Sequence, residues 1–350
     1  MKEQNRPCTG GEMAARMHIG WNLGNSLDCF APGKGLEAET AWFNPPVTRR
    51  VLETVTEAGF DVLRIPVTWA GHFGKGPEYR LDEAWLCRVE EIISWGLELG
   101  AYVIVNLHHD GSAMNDPHAW LVPDAAHIES VLPVFTALWT QLAARFGGYG
   151  EKLIFESMNE PHCGNDWVGN PERYAAVNRL NEAFVRIIRS SGEQNRTRKL
   201  LLPTYAASPK EAAIKGLVLP EDPYLMASVH AYTPTEFCFP SREVNWAEPR
   251  IRWGSPADRT QLTEQLDRLE NRFVRRGIPL LIGEFAAVCK PDDAQRLAWA
   301  EYYVREAARR GIRCLWWDTC TGKESMGLLD RHSCRWLYPE LVQTLIRAAY

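Results

Sequence analysis

Two glutamates, Glu160 and Glu284, close short apolar runs in "LIFESMNEP" and "LIGEF". A carboxylate that follows a core-forming run is expected at the rim of the core, not on an outer helix. Taken singly, each could be structural, because carboxylates also form ion pairs across barrel mouths. Taken together, they meet the chemical requirement for cleaving a glycosidic bond. One carboxyl is protonated to assist the departing oxygen, and the other is ionised to attack the anomeric carbon or activate water. Their environments must then differ. Arg64 in "VLRIP" has the charge to hold Glu284 ionised, and that negative charge would in turn keep Glu160 protonated. Arg64 could also be a buried arginine balancing carboxylates, a reading compatible with the first.

Other polar or aromatic residues fall at the same kind of position, the end of an apolar run: Asn22 and Asn25, His108 and His109, Asn159, His230 and Tyr232, and Trp316 and Trp317. The run His108–His109–Asp110 raises the question of a metal. Adjacent histidines on a strand point to opposite faces, and no further cluster at metal-ligand spacing accompanies them. A histidine bonded to hydroxyls or to a carboxylate is the preferred reading, and no metal or cofactor is expected. No GxSxG elbow and no cysteine in a nucleophile motif is present, which disfavours acyl transfer. Of the fourteen tryptophans, Trp85, Trp95 and Trp299 fall in helix patterns and read as core. Trp42, Trp69, Trp120, Trp167, Trp246 and Trp253 fall in loops, where indole faces suit the flat CH faces of sugar rings, although each taken singly reads as packing before subsite.

Seven of eight apolar runs carry these ends, the exception being Leu200–Thr204; the eight are His18–Asn22, Val62–Pro66, Tyr102–His108, Ile154–Asn159, Leu200–Thr204, Leu225–His230, Leu280–Glu284 and Cys314–Trp317. Between them lie amphipathic patterns such as "TRRVLETVTEAG", "DEAWLCRVEEIISWGLELG", "VNRLNEAFVRIIRSSG" and "AQRLAWAEYYVREAARRG", several stopping at glycine (Gly59, Gly100, Gly192, Gly311). Strands of near-continuous apolar character alternating with helices predict a parallel sheet covered on its outside. A closed (β/α)8 TIM barrel fits the length as a single domain over 1–350, with 1–16 expected as a flexible N-terminal segment. The rival, a doubly wound open sheet, usually carries a glycine-rich phosphate loop after its first strand, and "GWNLGNSLD" is not one. In a barrel all the strand ends meet at one face, so the polar residues converge.

A formal net charge of -5 gives no electrostatic case for nucleic acid, and no apolar run approaches the ~18 residues of a membrane span. The nine cysteines show no CxxC and no zinc spacing, which favours free thiols, with Cys29, Cys163, Cys238 and Cys320 placed where loops could bring some together. The stretch "MKEQNRPCTGGEMAARM" lacks the apolar core of a secretory leader. That leaves a cytoplasmic protein, or a secreted one whose leader has been removed.

The strings "GWNLGNSLD", "VLRIPVTW", "VNLHHDG", "LIFESMNEP", "SVHAYTP", "LIGEFAAV" and "LWWDT" stand in the order found in glycoside hydrolase family 5, the cellulase family, which the chain resembles from about Met17 to its C-terminal helix. With "GLLDRHSCRWLYPELV", they look most like the bacterial endoglucanase branch. The resemblance implies Glu160 as acid/base and Glu284 as nucleophile of a retaining double displacement. It implies Asn159 on the sugar 2-hydroxyl, Arg64 and Tyr232 orienting Glu284, His230 beside Glu160, and His108 holding the sugar. Trp317, preferred over Trp316 because it precedes Asp318, would stack under the sugar, and Asn25 and His109 would reach neighbouring subsites. The implied partner is a β-glucan polysaccharide or oligosaccharide, met by a monomer. Preference among cellulose, mixed-linkage glucan, xyloglucan and mannan stays open, as do a β-mannanase and a non-catalytic carbohydrate-binding barrel.

Overall fold

The computed structural model of the chain describes residues 7–111, 116–239, 250–320 and 325–350. Eight parallel strands pair in chain order and close on themselves: β1 (Ile19–Leu23), β2 (Val62–Ile65), β3 (Tyr102–Asn106), β4 (Leu153–Glu156), β5 (Leu200–Pro203), β6 (Leu225–His230), β7 (Leu280–Phe285) and β8 (Arg313–Asp318). The closing pair is β1 with β8, in register from Ile19 opposite Cys314 to Leu23 opposite Asp318, so the sheet is a barrel and not an open sheet. The expected runs all become strands. β2 and β5 stop one residue early and two others stop further short: β3 ends at Asn106 and β4 at Glu156, which leaves His108, His109, Asn159 and Glu160 on the loops above.

The α-helices of the described residues are α1 (Gly10–Arg16), α2 (Arg49–Glu57), α3 (Glu83–Glu98), α4 (Ile128–Arg145), α5 (Pro171–Ser190), α6 (Glu211–Gly216), α7 (Thr235–Cys238), α8 (Pro256–Arg272), α9 (Asp293–Arg309) and α10 (Pro339–Ala349). The chain leaves α2, α3, α5 and α9 near Gly59, Gly100, Gly192 and Gly311, all at positive φ as the stop pattern requires. Trp85 and Trp299 are fully buried between helices and strands, and Trp95 is half-buried against the same layer.

Side chains two residues apart on a strand face the same way, so the barrel interior is built in layers. The lower layer is apolar: Val62, Ile104, Ile154, Leu201, Met226, Leu281 and Leu315 form one cluster. Moving up two residues from Val62, Ile104, Ile154 and Met226 gives Arg64, Asn106, Glu156 and Ser228, all buried and polar. Position Gly20 stays small because a β-carbon there would lie 2.3 Å from Leu315.

Residues 7–16 of the segment expected to be flexible close the floor, and 1–6 lie outside the described residues. Residues 10–16 form α1, started by a capping box between Thr9 and Glu12, and Met13, Ala14 and Met17 join the lower apolar cluster. Burial of these apolar side chains holds the segment against the barrel. None of the nine cysteines is paired, including Cys29, Cys163, Cys238 and Cys320.

Candidate active site

The upper interior layer is organised around Arg64, which is wholly buried. Its Nε donates to Glu156 Oε2 at 2.7 Å, Nη1 to Glu284 Oε1 at 2.7 Å and to Asn22 Oδ1 at 3.0 Å, and Nη2 to Asn159 Oδ1 at 2.8 Å. Burial alone would lower its proton affinity, but Glu156 and Glu284 more than offset this and hold the guanidinium charged. The last of these bonds fixes the Asn159 amide. With Oδ1 engaged below, the Nδ2 hydrogens are left to face the cleft.

Glu284 is aimed by an irregularity. The pairing of β7 slips against β6 at Val229/His230 and against β8 between Ile282 and Phe285, a bulge that redirects the side chain next to it. Gly283 makes room for this, because a β-carbon there would lie 3.0 Å from Ser228 Oγ and 3.2 Å from His230 Nε2. Tyr232 donates its hydroxyl to Glu284 Oε2 at 2.8 Å, so both carboxylate oxygens receive a donor.

His230 links the two glutamates. Its Nδ1 lies 2.7 Å from Glu160 Oε1 and 3.5 Å from Glu284 Oε2. Burial pushes the imidazole down to about 4, so it is neutral near pH 7, and with carboxyl oxygens facing Nδ1 the proton belongs on that nitrogen. Glu160 differs from Glu284 in having no cationic partner within hydrogen-bond reach. Its carboxyl is pushed up to about 7, chiefly by burial, with His162 and Arg64 opposing and Glu156 reinforcing. Sequence reasoning attributed this protonation to the charge of Glu284. Desolvation at the foot of the cleft is the larger cause.

His108 and His109 do not diverge as strand neighbours would. The strand has already ended, and their rings meet edge to face with centroids 4.3 Å apart. His108 Nδ1 lies 3.2 Å from Asn106 Nδ2, and Asn106 Oδ1 is engaged by Val67 N–H, so the amide donates and His108 carries its own proton on Nε2. The His108 ring lies parallel to Trp317 at 5.5 Å. Trp317 is the inward member of the pair, whereas Trp316 points outward and donates to Met326 O at 2.8 Å. Asn25 sits at positive φ on the loop after β1, held through Asp28, which accepts its N–H at 2.9 Å. Two trios of described residues bring ligand-capable atoms within 4.8 Å of one another, Asp28–His108–His109 and Glu160–His230–Glu284. In the first, Asp28 already accepts backbone N–H from Asn25 and Ser26, and Nε2 of His108 carries a proton.

The loop tryptophans divide. Trp69 and Trp253 are buried and belong to packing, because their loops fold back beneath the surface; Trp69 donates to Asn106 O at 3.1 Å. Trp42 lies half-buried against His109, Trp120 is tied to Asp110, and Trp167 is 48% exposed and stacks on His162 at 4.0 Å. Trp246 lies outside the described residues.

Glu156 and Asn106 were missed from sequence. Glu156 accepts from Arg64, from Asn106 at 2.9 Å and from Ser228 at 2.8 Å. The signal was available: an acidic residue inside the apolar run "LIFES" at an inward-facing position. This arrangement of one carboxylate fully engaged by donors and a second, more proton-binding carboxyl beside it can deliver a proton and a nucleophile to the same bond.

A sequence model of the family described as cellulase (glycosyl hydrolase family 5) matches residues 29–323. The chain is 41% identical to the cellulase/esterase CelE of Acetivibrio thermocellus over 98% of its own length, but spans only 41% of that relative. It is 37% identical to endoglucanase A of Ruminococcus albus, covering 98% of this chain and 94% of the other. The fold superposes on a broad-specificity endoglucanase from Ruminococcus champanellensis with bound cellotriose at a TM-score of 0.90, with 37% identity over 98% of this chain and 99% of that one.

Proposed function

Because the chain belongs to glycosyl hydrolase family 5, we propose that it is a retaining endo-β-1,4-glucanase in which Glu284 is the nucleophile and Glu160 the acid/base. The observation that carries this reading is the closeness of the two carboxyls: with His230 they bring oxygen and nitrogen atoms within 4.8 Å of one another. An inverting pair stands ~6.5–9.5 Å apart to admit a water, and a retaining pair only ~5–5.5 Å.

In the first half-reaction Glu284 forms a bond to the anomeric carbon as the glycosidic bond breaks, and the Glu160 proton passes to the departing oxygen. In the second, Glu160, now ionised, takes a proton from water, whose oxygen displaces Glu284 with a second inversion. Arg64 and Tyr232 hold Glu284 in line. Asn159, its carbonyl engaged by Arg64, offers N–H to the sugar 2-hydroxyl. His108 offers Nε2–H above Trp317, whose ring forms the floor. His230 places a neutral donor between the carboxyls, and Asn25 and His109 reach the next sugar.

A β-1,4-glucan is the substrate class, supported by the endoglucanases among the relatives and by the cellotriose in the structural neighbour. Among the described residues no helix is long and apolar enough to cross a membrane. A polymeric substrate would be met outside the cell, by a monomer. Proton NMR of the first products from soluble glucan tests the mechanism. The β-anomer is expected first, and an initial α-anomer would overturn retention. Initial rates on carboxymethylcellulose, barley glucan, xyloglucan, mannan and xylan test the substrate class, and mannan as the best substrate would sink it.

A further inference from the structure

Phe43 is 90% exposed and holds its backbone at φ 71. An isolated exposed apolar side chain asks for no explanation. One held in the left-handed region does, because a β-carbon there is strained where glycine would not be. The strain is imposed by firm anchors on both sides. Asn44, buried, donates to Asn25 O at 2.7 Å, and Glu39 accepts Val47 N–H at 2.6 Å while pairing with Arg88 at 2.8 Å. The loop therefore presents the ring to solvent instead of letting it fold onto the surface.

Both chain neighbours of Phe43 touch the cleft. Trp42 packs on His109 with ring centroids 5.4 Å apart, and Asn44 holds Asn25. The loop follows β1, which lies beside β8 and its Trp317. Glu160 stands on the loop after β4, on the other side of the barrel mouth. A proton donor must face the leaving oxygen, so the departing half of a glucan lies toward the β4 loop and the retained half toward β1 and β8.

We propose that Phe43 is a stacking platform for a sugar of the retained half of the glucan, one step beyond Trp42, and so sets how many sugars the cleft grips ahead of the cleaved bond. This rests on the glucanase reading above. The phenyl ring offers one apolar face to the CH face of a pyranose, and its anchored loop means little freedom is lost on binding.

The test measures release of the aryl group from 4-nitrophenyl β-glycosides of cellobiose, cellotriose and cellotetraose by the native chain and by Phe43→Gly, Phe43→Leu and Phe43→Trp. The readout is the gain in kcat/KM as sugars are added. That gain is expected to fall about three- to tenfold in the glycine and leucine variants and to be kept in the tryptophan variant. Phe43→Gly is also expected to melt at or above the native temperature, because it relieves the left-handed strain. An unchanged gain in Phe43→Gly, a gain kept in Phe43→Leu, or an equal loss at every length each overturns the platform. So does a native dimer in sedimentation that Phe43→Gly converts to monomer without altering the kinetics, since the ring would then cover a second copy of the chain. If the native chain releases no aryl group from any of the three, the glucanase reading falls and takes the platform with it. Native hydrolysis with an unaltered variant overturns the platform alone.

Discussion

Arg64 and Glu156 form an ion pair at 2.7 Å in which neither side chain meets solvent. It lies beneath the cleft and uses the Nε side of the guanidinium, leaving Nη1 for Glu284. Glu156 thus sets both the position of Arg64 and how much of its charge reaches Glu284, the proposed nucleophile.

Removing one partner of a buried pair is costly because the other charge stays behind. Glu156→Ala is expected to lose about 3–5 kcal/mol in guanidinium denaturation. Glu156→Gln keeps the shape and should lose less stability, but it leaves Glu284 facing the whole charge of Arg64. Held more tightly by Arg64, Glu284 would attack less readily, so kcat should fall by as much as about tenfold, or ~1.4 kcal/mol of barrier. A Glu156→Gln enzyme with native kcat would show that the pair serves only the fold.

Glu160→Gln separates the two half-reactions. Loss of a general acid typically costs 10²–10⁴-fold, but only where the leaving group needs a proton. On soluble glucan the variant is expected to lose about that much. On 2,4-dinitrophenyl cellobioside the first turnover should stay near the native rate, followed by a slow steady state as water attack goes unassisted. Stopped-flow release of dinitrophenol reads both phases. An equally slow first turnover would remove Glu160 from the acid role.

Much of this site was legible in the sequence because a strand's side chains alternate. Apolar runs ending in polar or aromatic residues gave seven of the strand ends, and eight parallel strands in chain order leave one place for those ends to meet. What was not legible depended on where strands stop. His108 and His109 were read as opposed because β3 was extended past Asn106. Which of the loop tryptophans would pack and which would face the cleft was not legible, because loop position does not reveal which side of a loop is buried; Trp69 and Trp253 are buried. The proton affinity of Glu160 was credited to its visible partner, because burial by many small contacts leaves no mark in a motif.

The raised affinity of Glu160 makes both activity and stability depend on pH. In its proposed role as acid Glu160 must be protonated in the free enzyme, so kcat/KM is expected to fall above about pH 7. A carboxyl whose folded value lies above its unfolded one binds more protons in the folded state. Its stabilising contribution is therefore complete below about 4.5 and is lost as pH rises through about 7. The loss is on the order of 3 kcal/mol. Glu160→Gln cannot ionise, so its stability relative to the native chain should improve steadily from pH 4.5 to 8. Urea denaturation across that range decides, and two parallel curves would contradict the burial argument.

His72 should govern stability at the acid end. It is 1% exposed, its ring lies on Trp85 at 4.0 Å, and neither ring nitrogen has a partner. Burial pushes it down to about 4 from an ordinary 6.5, with Asp82 opposing weakly. Here the unfolded chain takes the proton first, so stability is complete above about 6.5 and is lost as pH falls toward about 4. The loss is again on the order of 3 kcal/mol. His72→Phe keeps the stacked ring and removes both the titration and the two unpartnered nitrogens. It is expected to match or exceed native stability at pH 7 and to gain progressively as pH falls to 4. Its backbone bonds to Trp69 and Asp82 do not involve the ring, so the loop geometry should survive the change. Native and variant losing stability in parallel between pH 7 and 4 would mean that His72 finds a partner for its proton, and that acid unfolding begins elsewhere.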